Sequence, residues 1–118
     1  MRNVLIFLTL LFSSPLHSGS VEVVSAEAKQ TGIGQYHIQV TLRHADTGWD
    51  HYANAWRVLA PDGSVLGERI LYHPHVNEQP FTRALFSISI PPGTPYVEIE
   101  GQDLVHGPSP SRYKIELN

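Results

Sequence analysis

From residue 21 to the C-terminus, apolar side chains recur at every second position in short runs, and turn-forming residues separate the runs. The clearest run places Tyr36, Ile38, Val40 and Leu42 on one face, with His37, Gln39 and Thr41 on the other. No segment has the 3.6-residue period that a half-buried helix needs, so the chain can bury its apolar groups only as strands. Val21, Val23, Ala26 and Ala28 mark a first strand, closed by a turn at Thr31-Gly32-Ile33-Gly34. Trp56 and Val58 point inward from a third, and Pro61-Asp62-Gly63-Ser64 is a hairpin signal. A fourth strand spans residues 65–72, with Leu66/Ile70 and Val65/Leu71 competing for the core. The fifth puts Phe86, Ile88 and Ile90 inward, the sixth Val97 and Ile99, and the last Tyr113, Ile115 and Leu117. Seven short strands with regularly spaced turns predict an all-β, seven-stranded antiparallel β-sandwich.

The first twenty residues are expected to be removed. Arg2 precedes an apolar run over residues 4–12, which is too short to cross a bilayer as a helix, and small residues Ser18 and Ser20 suit a cut after Ser20. A cut after Ala26 also satisfies the small-residue rule but would remove a strand. These features predict a signal peptide over residues 1–20, a single domain over residues 21–118, and a periplasmic or secreted location. No cysteine follows the apolar run to carry a lipid, and the exported chain has no further long apolar stretch. Removing 20 of 118 residues leaves 98, enough for one core, and losing Arg2 takes the net charge from −3 to −4. With no cysteine, disulfides are excluded, and stability must come from packing or from a ligand that binds the folded state. The absence of any basic cluster argues against nucleic acid as a partner.

The C-terminal stretch, with Pro92-Gly93-Thr94-Pro95-Tyr96 before the sixth strand and Gly107-Pro108-Ser109-Pro110 before the seventh, resembles a fibronectin type III domain. That likeness implies an immunoglobulin-like sandwich with Trp56 in its core. Tyr96 departs from the family pattern, because its parity is opposite to that of Val97 and Ile99. The stretches His44-Ala45-Asp46-Thr47-Gly48-Trp49-Asp50-His51-Tyr52 and His73-Pro74-His75-Val76-Asn77-Glu78-Gln79-Pro80-Phe81-Thr82-Arg83 resemble a family of small exported bacterial proteins of unknown function. No activity follows from that second likeness.

Strand alternation makes a sharper prediction. If the second strand runs upward, the loop after it is at the top, as are the connections after the fourth and sixth strands. Five of the seven histidines fall in those three segments: His44, His51, His73, His75 and His106. Loops at one end of a rigid sandwich are favoured places for binding residues, and imidazole is the commonest metal ligand. Pro74 biases His73 toward extended backbone, so His73 and His75 share a face. The expected ligands are His44, His73 and His75, with His51 or His106 as a fourth. Asp46, Asp50, Glu78 and Asp103 are candidates to ligate or to orient the imidazoles. A nitrogen-rich set without sulfur suits Cu(II), Zn(II) or Ni(II), and loss of the single methionine, Met1, removes a thioether site for Cu(I).

The expected function is metal handling or delivery to another exported protein, without catalysis. The competing expectation is a protein, peptide or glycan interaction module at the same pole, anchored by Trp49, Tyr52, Tyr72 and Phe81. Asp46-Thr47-Gly48 matches the aspartic-protease triplet, but Arg43-His44 before it and Trp49 after it are the wrong neighbours. Glu78 is the one residue placed to serve as a base in hydrolytic zinc chemistry, and no serine sits in a nucleophile context.

Overall fold

A computed structural model describes residues 19–117. The expected signal segment, residues 1–20, lies outside the described residues except for Gly19 and Ser20. The rest is an antiparallel β-sandwich of seven strands: β1 (Glu22–Gly32), β2 (Gln35–Arg43), β3 (Ala53–Leu59), β4 (Val65–Ile70), β5 (Phe81–Ser89), β6 (Tyr96–Asp103) and β7 (Gly107–Glu116). One sheet has the order β1-β2-β5 and the other β4-β3-β6-β7.

The alternating residues of the central strands fill the space between the sheets. Ile38 and Val40 of β2 face Trp56 and Val58 of β3 and Val97 and Ile99 of β6, all closed to solvent. Tyr113, Ile115 and Leu117 complete the core from the β7 side.

β5 and β4 depart from the inward residues that the sequence pattern predicts, each at a β-bulge. On β5, Tyr36 pairs with Ile88 but Ile38 pairs with Leu85, so Phe86 and Ser87 both oppose His37. The extra residue reverses the parity of everything before it. Ile88 and Ile90 are buried as expected, but Leu85 takes the inward place and Phe86 turns out, 73% exposed. There it packs edge-to-face on His37, ring centroids 4.9 Å apart. On β4 a second bulge lies between Val65, which pairs with Leu59, and Gly67, which pairs with Val58. It resolves the competing parities by mixing them: Leu66 and Leu71 face the core while Val65 and Ile70 are exposed.

The alternation that matters for function holds. Leu42 pairs with Phe81 where β2 ends and β5 begins, and Ala53 pairs with Asp103 where β3 begins and β6 ends. The segments 44–52, 71–80 and 104–106 therefore emerge at one pole, opposite the turns at 33–34, 60–64 and 90–95. Gly19 and Ser20 reach the same pole ahead of β1.

The reversed parity of β5 predicts opposite outcomes for two aromatic truncations. Trp56→Ala should cost about 3–5 kcal/mol of stability in urea denaturation. Phe86→Ala, at an exposed site, should cost less than about 1 kcal/mol.

Candidate metal centre

The β2–β3 loop is built around Asp46. The Asp46 backbone N–H donates to the His44 carbonyl, and Thr47 and His51 close a tight turn through N–H donations to His51 and Gly48 carbonyls. This curl carries His51 back over the pole and points the Asp46 carboxylate inward, where it is fully buried. Its Oδ1 accepts from the Ala53 N–H at 3.1 Å and meets His44 Nδ1 at 2.5 Å. Its Oδ2 accepts from the His75 N–H at 2.7 Å. One carboxylate thus ties the start of β3 and the β4–β5 connection to the His44 ring.

Asp103 forms the second anchor. Its Oδ1 accepts the backbone N–H groups of Val105 and His106 at 2.8 and 2.6 Å, which folds the short β6–β7 connection. The His106 ring adds Nδ1 at 3.2 Å from both carboxylate oxygens. Burial alone would push the Asp103 carboxyl up, but the His106 and Val105 N–H groups and the His106 ring outweigh it and hold its pKa below the ordinary carboxylate value. Asp103 therefore stays ionised although its side chain is closed to solvent.

His44 lies between these carboxylates. With Nδ1 held by Asp46, the other ring nitrogen, Nε2, stands 3.5 Å from Asp103 Oδ2 and 2.7 Å from the Gly19 carbonyl oxygen. His51 approaches from the open side, its Nε2 3.4 Å from Asp103 Oδ1. That nitrogen is buried without a hydrogen-bond partner. His44, His51 and Asp103 each offer a ligand atom, and these atoms all lie within 4.8 Å of one another.

Tetrahedral Zn(II) with bonds of about 2.0–2.1 Å holds its ligand atoms about 3.3 Å apart. The two imidazole-to-carboxylate separations, to different oxygens of Asp103, are already close to that, while the three-atom set as a whole spans up to 4.8 Å and must draw in to close on one ion. Asp46 behind His44 supplies the carboxylate–histidine support that fixes the tautomer of a ligating imidazole. His106, its ring centroid 5.0 Å from that of His51, flanks the group with its side chain 41% exposed.

The remaining predicted residues are placed differently. His73 and His75 lie beside this group rather than in it. His75 is buried and stacked flat on Phe81, centroids 4.0 Å apart. Its Nε2 meets the Arg83 guanidinium at 2.9 Å. Arginine can only donate, so that imidazole lone pair is already used. His75 Nδ1 is 4.0 Å from Asp46 Oδ2 and has no hydrogen-bond partner. Burial, reinforced by the charges of Arg83 and His73, lowers the His75 pKa against the smaller opposing pull of Glu78 and Asp46. His73 is exposed, its Nδ1 3.1 Å from the Pro74 carbonyl. Asp50 is exposed, and Glu78 faces Arg83 at 3.6 Å on the surface.

Among the aromatic candidates, Trp49 and Tyr72 are exposed, and Tyr52 is half-buried against Trp49 with centroids 5.7 Å apart. Phe81 corrects the expectation of a surface anchor: it is 2% exposed, because the bulge in β5 turns it into the core beneath His75.

Residues that sequence reasoning missed hold the pole together. Gln79 accepts from the His44 N–H through Oε1 at 2.9 Å and donates from Nε2 to the His75 carbonyl at 2.9 Å. A lone glutamine in a proline-containing connection carries no signal for this role. The Gly19 carbonyl, assigned to the signal segment, was equally invisible.

No family model matches the chain, and no solved structure matches it. A protein of Halomicrobium mukohataei described as "Putative lipoprotein" is 38% identical over 95 residues, covering 80% of this chain. The chain spans 46% of that relative's length.

Two outcomes follow for the metal-free domain. Asp46→Asn removes the anion that three donors share and should cost about 2–4 kcal/mol in urea denaturation. His75 takes up a proton less readily when folded, so its contribution to stability is full above its unfolded pKa of about 6.5 and falls as the pH drops below that value. The stability lost between pH 7.5 and 5.5 should therefore be smaller in His75→Gln than in the native chain.

Proposed function

We propose that this is an exported β-sandwich that binds a divalent transition metal, Cu(II) or Zn(II), through His44, His51 and Asp103. The observation that carries this reading is the convergence of three buried or half-buried ligand atoms within 4.8 Å, one of them a His51 nitrogen with no other partner. The donor set, two imidazoles and one carboxylate without sulfur, is of the kind that zinc and copper accept. His106 is the natural fourth ligand, since its exposed ring can turn without disturbing the core. Export is supported by the N-terminal apolar run and by the description of the Halomicrobium relative as a lipoprotein. The role that fits is metal holding or delivery without catalysis: Glu78, the carboxylate expected to serve as a base, is turned toward Arg83.

A specific observation favours a second reading alongside the first. Trp49, Tyr72, Val76, Leu104 and Val105 are each at least half exposed and all belong to the three loops of this pole. An apolar rim around a polar centre suits a docking partner. On the delivery reading, that partner is the exported protein that receives the metal. On the alternative reading it is a protein, peptide or glycan bound without any metal.

Calorimetric titration of the chain beginning at Val21 with Zn(II) and with Cu(II) distinguishes the readings. Stoichiometric binding should weaken at least about 100-fold in His44→Ala and His51→Ala, the upper end of what loss of a supporting contact costs. His73→Ala should bind as the native chain does. Absence of binding by the native chain would leave the interaction module as the surviving reading.

A further inference from the structure

Gly19 and Ser20, on the N-terminal side of the expected cut, are not bystanders at this pole. The Gly19 carbonyl oxygen stands 2.7 Å from His44 Nε2, the ring nitrogen that Asp46 does not contact. An ion bonded to both atoms needs them about 3.3 Å apart, so the carbonyl leaves no room for a metal between them. The fit is close on the other side as well. Gly19 has φ +92°, and a Cβ there would lie 2.6 Å from His106 Cε1. The residue therefore sits directly against the ring best placed to become a fourth ligand. From the signal side, it covers both His44 and His106.

The chain just beyond the cap is anchored independently. Val21 is 2% exposed, and it packs where Gly101 lacks a side chain, a Cβ at Gly101 falling 2.5 Å from Val21 Cγ1. A cut after Ser20 would thus leave the new N-terminus held at the pole while removing the carbonyl that blocks it. Its α-amino group would lie within about 8 Å of His44 Nε2, one residue from the lost carbonyl.

We propose that Gly19 is a built-in cap, and that removal of the signal segment after Ser20 unmasks the metal site, so the chain becomes competent to bind a divalent cation only as it is exported. This rests on the metal-binding reading above and adds a control on it.

The test compares chains beginning at Ser18, Ser20 and Val21. All seven strands and the core cluster lie within residues 21–117, so each retains the domain. Zn(II) titration should give the Ser20 and Val21 chains similar affinities, and the Ser18 chain one weaker by about tenfold or more, the scale of one hydrogen bond that must first be broken. The Ser20 chain lacks the Gly19 carbonyl but displaces the α-amino group, so its agreement with the Val21 chain assigns the effect to the carbonyl. Equal affinity in the Ser18 and Val21 chains would overturn the cap while leaving the metal site intact. So would a Ser20 chain that binds as weakly as the Ser18 chain. A metal-free readout separates the two ideas: the ¹⁵N resonance of His44 Nε2 should shift between the Ser18 and Val21 chains. A shift without metal binding by any chain would retain the carbonyl contact but sink the metal site and its unmasking together.

Discussion

The buried carboxylate of Asp46 holds the pole of this sandwich in one arrangement. Three groups from three segments depend on it: the His44 ring where β2 ends, the Ala53 N–H where β3 begins, and the His75 N–H in the β4–β5 connection. A carboxylate removed from water is costly unless it is paired and hydrogen-bonded, and this one has three donors. The same hydrogen bonding that makes the group tolerable also fixes the orientation of His44, and with it the direction of its other ring nitrogen, Nε2. Asp103 repeats the device across the pole, using backbone N–H groups to stay ionised while closed to solvent.

Neither carboxylate contributes to the apolar core, which is complete without them. Trp56, Ile38, Val40, Val58, Val97 and Ile99 seal the space between the sheets. A small domain without cysteines gains little by burying two aspartates and two imidazoles at one end unless the arrangement binds something. A cation placed among them would offset the negative charge and stabilise the fold by mass action, since the unfolded chain offers no such set. Structural polarity alone would account for Asp46, both of whose oxygens accept hydrogen bonds from the loops it ties together. It does not account for His51, whose buried Nε2 faces a carboxylate oxygen without a hydrogen bond.

Much of the fold was legible because period-two alternation is a direct consequence of strand geometry. The inward residues of β2, β3, β6 and β7 are those the alternation predicts, and strand reversal alone brings the histidine-bearing loops to one pole. What escaped was local. A single extra residue in β5 sends Phe86 outward and Phe81 inward, and nothing in the apolar pattern distinguishes Leu85 from Phe86 as the core residue. The choice of ligands was legible only coarsely. Two-residue spacing brings His73 and His75 together, with ring centroids 4.7 Å apart, but says nothing of Arg83 occupying the second ring. Asp103 emerges as a central group because its backbone pairing with Ala53 places it under the β2–β3 loop, a register that sequence does not encode visibly.

X-ray absorption at the zinc edge of the Zn(II)-loaded Val21 chain reads directly which atoms surround the bound ion. The expected shell is four-coordinate, nitrogen and oxygen alone at about 2.0–2.1 Å, with multiple scattering from at least two imidazoles. A six-coordinate oxygen shell, or no more than one imidazole per zinc, would contradict it.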